Sequence, residues 1–315
     1  MSLKHSSRPV RRPEYWMVLG AIVFVAVCFY GLRAAAVMGL AALTALLTDF
    51  FCLFLRGRSY RLVDLSNIGN ALILVLMFPA TIPFSIVILS TVFAVAVGSH
   101  VFGCRKDLLF PPAAVGYLFA LTCWKDSVLK FPAPGEPLQF FHTEMLRQES
   151  FSSLFNEKGS ILHLHYDLME MLIGAVPGAM GTGCIILLVL GIVILLCRKQ
   201  LNLWAVLGAS GFLLFPAVAG RMDLGILLTN MLLFSTLFFL ADPSLMPCRS
   251  VLALLASYLT SLLAGFLIVK YHIEYAPIAA VILTCPLWRW MAQLDTKRTQ
   301  HERVQKRQEV AADDK

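Results

Sequence analysis

Ten apolar runs, most of them separated by only a few polar residues, constrain this chain more than any other feature. With soft ends they cover 16–30, 34–55, 68–78, 82–102 and the stretch from Pro111-Pro112 to Trp124. After a polar interval at 125–166 they resume over 168–197, 204–219, 224–240, 251–269 and 277–291. A straight helix needs roughly 20 apolar residues to cross the hydrocarbon core, and several of these runs are shorter. Short spans interrupted by Pro or Gly are tolerated only where protein or a cavity covers the freed N–H and C=O groups. Hydrophobic residues make up 58% of the chain and charged residues only 14%. That is too little charge to cover a water-soluble globule of this length, so lipid must cover the rest. The expected fold is all-α and polytopic: about ten transmembrane helices in two inverted five-helix repeats, with broken helices.

The distribution of charge predicts topology and argues against a nucleic-acid partner. The net charge of +7 comes from short basic clusters between the runs and from the tail at Lys297, Arg298, Arg303, Lys306 and Arg307. With the N-terminus in the cytoplasm, the cytoplasmic loops carry Arg56, Arg58 and Arg61, then Arg105-Lys106, Arg198-Lys199 and Arg249, as the positive-inside rule requires. Ten crossings return the C-terminus to the same side. The expected organisation is a cytoplasmic segment 1–15, a first repeat 16–124, an external loop 125–166, a second repeat 167–292 and a basic tail 293–315. The loop is long enough to suggest a role beyond connection.

The second half echoes the first. Asn70 opens an apolar stretch ending at Pro79, and Asn230 opens one ending at Asp242-Pro243. Pro112-Ala113-Ala114-Val115 leads the fifth run, and Pro277-Ile278-Ala279-Ala280-Val281 leads the tenth. Both pairs are offset by roughly 160–165 residues, and five spans per half invert the second copy. Broken helices paired across such a repeat face a central site, where free helix ends meet polar groups or ions.

Several residues stand out against this apolar background. Asp242 either lines a site at a helix break or caps the next segment. Asp49 lies within the second run, where a carboxylate needs a partner or access to water. The glycines of 174–183 permit close approach, either by a ring or phosphate or by another helix. His163 and His165 read as outer-surface residues, and His100 as a solvated or interfacial one, since no converging metal ligands accompany them. The eight cysteines show no metal-type spacing, and Cys28, Cys52, Cys123, Cys184 and Cys285 read as small apolar groups facing lipid or core. No nucleophile elbow, P-loop, zinc motif or dinucleotide fingerprint occurs in its structural context, so redox or ion chemistry needs a bound cofactor or a pathway.

The order of motifs resembles one membrane-protein family: the D component of the Rnf electron-transport complex and the B component of the sodium-translocating NADH:quinone oxidoreductase. Asn70 to Pro79 is similar to the family's first broken helix. Gly98, Phe102-Gly103, Phe110, Pro112-Ala113 and Val115-Gly116 match its "G-x-x-x-F-G … F-N-P-A-x-V-G" block, with Pro111 in place of the asparagine. Gly174, Pro177-Gly178 and Gly181 match "G-x-x-P-G-x-x-G-E-T-S", although Thr182-Gly183-Cys184 replaces its last three residues. Phe238-Phe239-Leu240-Ala241-Asp242-Pro243 resembles "F-F-M-A-T-D-P".

The resemblance implies a membrane subunit of an Rnf-type complex in the bacterial cytoplasmic membrane. Such a protein relays electrons through flavin, coupled to sodium or proton movement, beside other membrane, flavin or iron–sulfur subunits. Family members attach FMN through a phosphoester to a threonine in an "S-G-A-T-P-L"-like external loop. Here Pro134-Gly135-Glu136-Pro137-Leu138 puts Glu136 at that position. A carboxylate cannot make the linkage and repels a nearby phosphate. FMN or riboflavin is therefore expected to bind noncovalently, near Asn70, Gly178, Gly181, Thr182 and Asp242. The readings from other classes are a small-solute or ion permease on the same inverted repeat, and a scaffold subunit without cofactor.

Overall fold

A computed structural model describes residues 13–57, 66–102, 109–132, 148–149, 168–213, 231–242 and 250–293. Helices account for nearly all of them. The first, α1 (Pro13–Leu55), holds the first two apolar runs as one continuous stretch divided by a kink at Gly31, with φ 69° and ψ −157°. A straight helix of that length would be about 65 Å long, about twice the hydrocarbon thickness. The break lets each limb match the membrane separately, and a residue with a Cβ would be strained in that conformation.

Next come α2 (Ser66–Leu76), α3 (Phe84–Phe93), which continues as a π-helical stretch over Ala94–Val101, and α4 (Pro112–Cys123). Pro112 opens α4, where its missing N–H costs no hydrogen bond. A one-turn helix α5 (Lys125–Val128) and an antiparallel pair, β1 (Lys130–Phe131) with β2 (Gln148–Glu149), follow. Val128 and Phe131 are fully buried in the main core. The start of the stretch expected to be a polar cap is thus anchored to the membrane domain.

The second half contains α6 (Leu168–Ile173), α7 (Ile185–Cys197), α8 (Leu203–Ala209) with a 3-10 turn Ser210–Leu213, α9 (Leu232–Ser235) with a π-helical turn Thr236–Leu240, α10 (Ser250–Tyr271), and α11 over 276–293. Element order corresponds between the halves. Each carries an interruption, after Leu76 in the first and after Leu240 in the second, and each is followed by a long apolar helix and then a proline-led one. Asn230 and Pro243, which mark the repeat in the sequence, lie outside the described residues.

This is an all-α polytopic membrane fold. Three helices, Pro13–Leu55, Phe84–Val101 and Val251–Tyr271, are long and apolar enough to cross a bilayer, and four shorter apolar helices accompany them. Met17, Phe24, Leu47, Phe54 and Val251 are more than half exposed on the outer face, as lipid contact allows and water does not. One apolar cluster runs through both halves, from Leu19 and Val37 through Leu74 and Phe78 to Phe234, Val281 and Trp288. Cys28 and Cys123 face outward and Cys285 is buried, in keeping with their reading as apolar groups. Hydroxyls inside spans bond back to their own helix: Thr44 to Leu40 O at 2.7 Å, and Ser90 to Ile86 O at 2.6 Å.

The interruption between α2 and α3 holds the centre together. Arg33, 3% exposed, donates from Nε to Ala80 O and from Nη2 to Ile82 O, each at 3.0 Å, and lies 4.9 Å over the Phe84 ring. A buried cation is costly unless its donors are used, and here they serve carbonyls that no helix can satisfy. Replacing Arg33 by Met is therefore expected to destabilise the protein by about 2 kcal/mol or more, since two buried carbonyls lose a charged donor. Thermal unfolding of the purified protein in detergent measures this. A midpoint equal to wild type would show that the contacts carry no net stability.

Candidate functional site

The glycine-rich stretch 174–184 is an open connection between α6 and α7. Gly174 terminates α6 at φ +96°, and its N–H and that of Ala175 both donate to Glu170 O, at 2.9 and 2.8 Å. The stretch then folds back until Gly174 faces Gly183. A Cβ built on Gly174 would come within 2.5 Å of the Gly183 backbone. Between them, Pro177 and Gly178 carry the chain toward the first half.

There this stretch meets the interruption of the first half. Gly181 N–H donates to Leu76 O at 2.7 Å, and Met180 N–H to Phe78 O at 3.1 Å. A Cβ on Gly181 would press on Leu76 Cβ at 2.7 Å and on the Phe234 ring at 3.0 Å, so only glycine admits this approach. Tyr30, at the end of the first limb of α1, donates its hydroxyl to Gly178 O at 3.4 Å. Thr182 Oγ1 donates to Ala179 O at 3.1 Å. Around Gly178 the surroundings are looser, and a Cβ there would meet only Thr182 Oγ1 at 3.8 Å.

The residues singled out in the sequence fall into three places. Gly178, Gly181 and Thr182 share the interruption. Gly181 bonds to the last residue of α2, the helix that carries Asn70, itself buried and engaged. Asp242 follows the π-helical turn at the other interruption. Its neighbour Ala241 accepts from Asn202 N–H at 3.1 Å, and Asn202 caps α8 through its side chain. Glu136 lies outside the described residues, as do His163 and His165.

Sequence reasoning missed two features here. Tyr117 on α4 stacks on Phe78, with ring centroids 5.7 Å apart. Its hydroxyl is fully buried and has no hydrogen-bond partner among the described residues, while Glu274 and Tyr275 from the second half lie within electrostatic range. The second feature is a correction. His100, expected to be solvated or interfacial, is 8% exposed, and its Nε2 lies 2.8 Å from Asp49 Oδ1. Asp49 therefore has the partner that its position in an apolar run demands. The spacing of Asp49 and His100, 51 residues apart on different elements, gave no local signal of the pairing.

The comparisons agree with this architecture. A family model described as "NQR2, RnfD, RnfE family" matches residues 5–285. Proteins named as the D component of an ion-translocating oxidoreductase complex are similar over shorter stretches. That of Pectobacterium atrosepticum is 30% identical over 139 residues, 43% of this chain and 39% of the relative. That of Pseudomonas paraeruginosa is 32% identical over 137 residues, covering 42% and 40%. That of Escherichia coli is 30% identical over 136 residues, covering 42% and 39%. The alignments thus span about two-fifths of the length of these relatives.

The two glycines of the central stretch should respond differently to a methyl group. Gly181→Ala is expected to lower the unfolding midpoint sharply, since Leu76 and its backbone carbonyl stand where the methyl would go. Gly178→Ala should be nearly neutral. Equal effects in a detergent melt would contradict the close packing of the glycine-rich stretch against the α2–α3 break.

Proposed function

We propose that this chain, which belongs to the NQR2, RnfD, RnfE family, is a membrane subunit of an ion-translocating oxidoreductase complex that relays electrons through a noncovalently held flavin. The observation that carries the reading is the family match over residues 5–285, joined to relatives named as the D component of such a complex. In this reading the protein sits in the bacterial cytoplasmic membrane with both termini in the cytoplasm. It works beside flavin or iron–sulfur subunits, and its electron flow is coupled to proton or sodium movement.

The residues present offer some of what FMN or riboflavin needs and withhold the rest. Glu136 at the attachment position supplies no hydroxyl for a phosphoester, so the phosphate linkage does not fit. A ring system held by noncovalent contacts fits better. The Tyr117 hydroxyl is a buried donor without a partner among the described residues, and the loose surroundings of Gly178 and Thr182 lie in the same interruption that contacts α2. Gly181 is not available, because its N–H already serves Leu76 O. A flavin bound there would supply one- and two-electron chemistry. The chain would orient it with Tyr117 and Thr182, exclude water with Phe78 and Phe234, and set its potential through burial.

A second reading, a permease or cofactor-free scaffold on the same framework, draws on Glu136 and on the tight closure between Gly181 and Leu76. Flavin content separates the two. The full chain is purified in detergent, denatured and run on a gel, with flavin fluorescence read in the band and in the released supernatant. Flavin in the supernatant alone is expected, reduced several-fold by Tyr117→Phe. Fluorescence fixed to the band would mean attachment at another hydroxyl. Its absence from both, in folded protein, would sink the electron-transfer reading.

A further inference from the structure

Four polar side chains from three separate elements close on one another where the second limb of α1 ends. Asp49 comes from α1, Asn67 from the first turn of α2, and Ser99 with His100 from the end of the π-helical stretch. None is more than 8% exposed. Ser99 Oγ donates to Asn67 Oδ1 at 3.0 Å, and Asn67 Nδ2 donates to Asp49 Oδ1 at 2.8 Å. The same Asp49 oxygen lies 2.8 Å from His100 Nε2. Arg56 anchors the far side by donating from Nη2 to the His100 carbonyl. The wider π-helical turn lets consecutive residues, Ser99 and His100, both reach inward, and such turns recur at functional positions.

We propose that Asp49 and His100 form a buried proton-loading site in which His100 Nδ1 takes up and releases one proton while Asp49 holds the compensating charge. The hydrogen-bond directions carry this. Ser99 fixes the Asn67 amide so that its NH2 group faces the carboxylate. Asp49 Oδ1 then accepts from Asn67 Nδ2 and faces His100 Nε2 at 2.8 Å, so an ionised Asp49 places the ring proton on Nε2. With Nε2 committed as donor, Nδ1 is the ring atom left to gain or lose a proton. Uptake turns a neutral imidazole beside a carboxylate into an imidazolium–carboxylate pair, and release reverses it. Proton and charge balance without any other reactant.

The other groups near the pair fit the same role. Cys52 lies on the same limb of α1 and Arg56 just past its end, with Cys52 within electrostatic range of both Asp49 and Arg56. Neither α2 nor α4 contains a charged residue, and Tyr117 of α4 stacks on Phe78 instead. The donors crowding Asp49 Oδ1 suit a proton better than a metal cation, and no group of three or more His, Cys, Asp or Glu side chains placed to hold a metal occurs among the described residues. A titratable pair inside a membrane domain is costly to keep, and relays are the usual reason for keeping one. The proposal deepens the ion-coupling part of the proposed function by giving a proton a place. It rests on that reading for the use of the site, while the existence of the site is testable in the isolated chain.

The test is nitrogen NMR of the full chain in nanodiscs, labelled at its seven histidines, with His100 assigned by its loss in His100→Gln. On acidification the His100 ring is expected to gain one proton at Nδ1. Asp49→Asn should move the midpoint, because the imidazolium loses its counter-charge. Ser99→Ala, a milder change that keeps the carboxylate, should move it the same way by less. Exchanging sodium for potassium should leave the midpoint unchanged. A ring held in one protonation state throughout, or a midpoint displaced by sodium, would overturn the proposal. Flavin content of the same preparations reads the electron-transfer function separately, so either can fail alone.

Discussion

The structure depends on how it satisfies the carbonyls of one broken helix. An α-helix leaves its last C=O groups without partners, and inside a membrane no water replaces them. Between α2 and α3 those groups are taken up in turn. Leu74 O and Val75 O accept from Met77 and Phe78 in a tightened final turn. Leu76 O and Phe78 O accept from Gly181 and Met180 of the other half, Pro79 O accepts from Ile82, and Ala80 O and Ile82 O accept from Arg33. The break is therefore a junction. Through it the second limb of α1, the two halves of the first broken helix and the glycine-rich stretch of the second half hold one another in place.

That junction determines where the backbone packs closely and where it does not. The contact between Gly181 and Leu76 is closed to anything larger than a hydrogen atom on the glycine, so it contributes rigidity. The looser ground lies around Gly178, where a Cβ would meet only Thr182 Oγ1. Small residues do similar work elsewhere. Gly116 sets α4 against Ala94 and Ser90, and Gly208 sets α8 against Ser257 and Leu254 of α10. Close backbone approach replaces the hydrophobic drive that lipid cannot supply between helices.

The buried polar groups divide by what they accomplish. Thr44, Ser90 and Thr260 bond back to their own helices, and Thr260 also joins Thr284 and accepts from Trp288 Nε1 at 3.0 Å. These contacts neutralise polarity and fasten α10 to α11. Arg33 serves the backbone of the break. Asp49 and His100 alone among these pair two titratable side chains across separate elements, which is why they, and not the threonines, suggest movement of a proton.

The sequence by itself determined the membrane class and, among the described residues, the places of most apolar spans and of the main breaks. All of these follow from local composition: apolar length decides what lipid can cover, and Pro79, Pro112 and the 174–183 glycines mark where a helix cannot continue. It also showed that Glu136 cannot carry a phosphoester, since that depends on one side chain's chemistry. Tertiary structure alone decided which freed groups meet. Gly181 reaches Leu76, Arg33 reaches Ala80, and Asp49 reaches His100 across separations of 47 to more than 100 residues. No local pattern encodes such pairings, because the same glycine, arginine or histidine would be equally at home at a lipid boundary or in water. What selects between those settings is the energetic cost of leaving a buried polar group unpaired, and that cost exists only once the helices have packed.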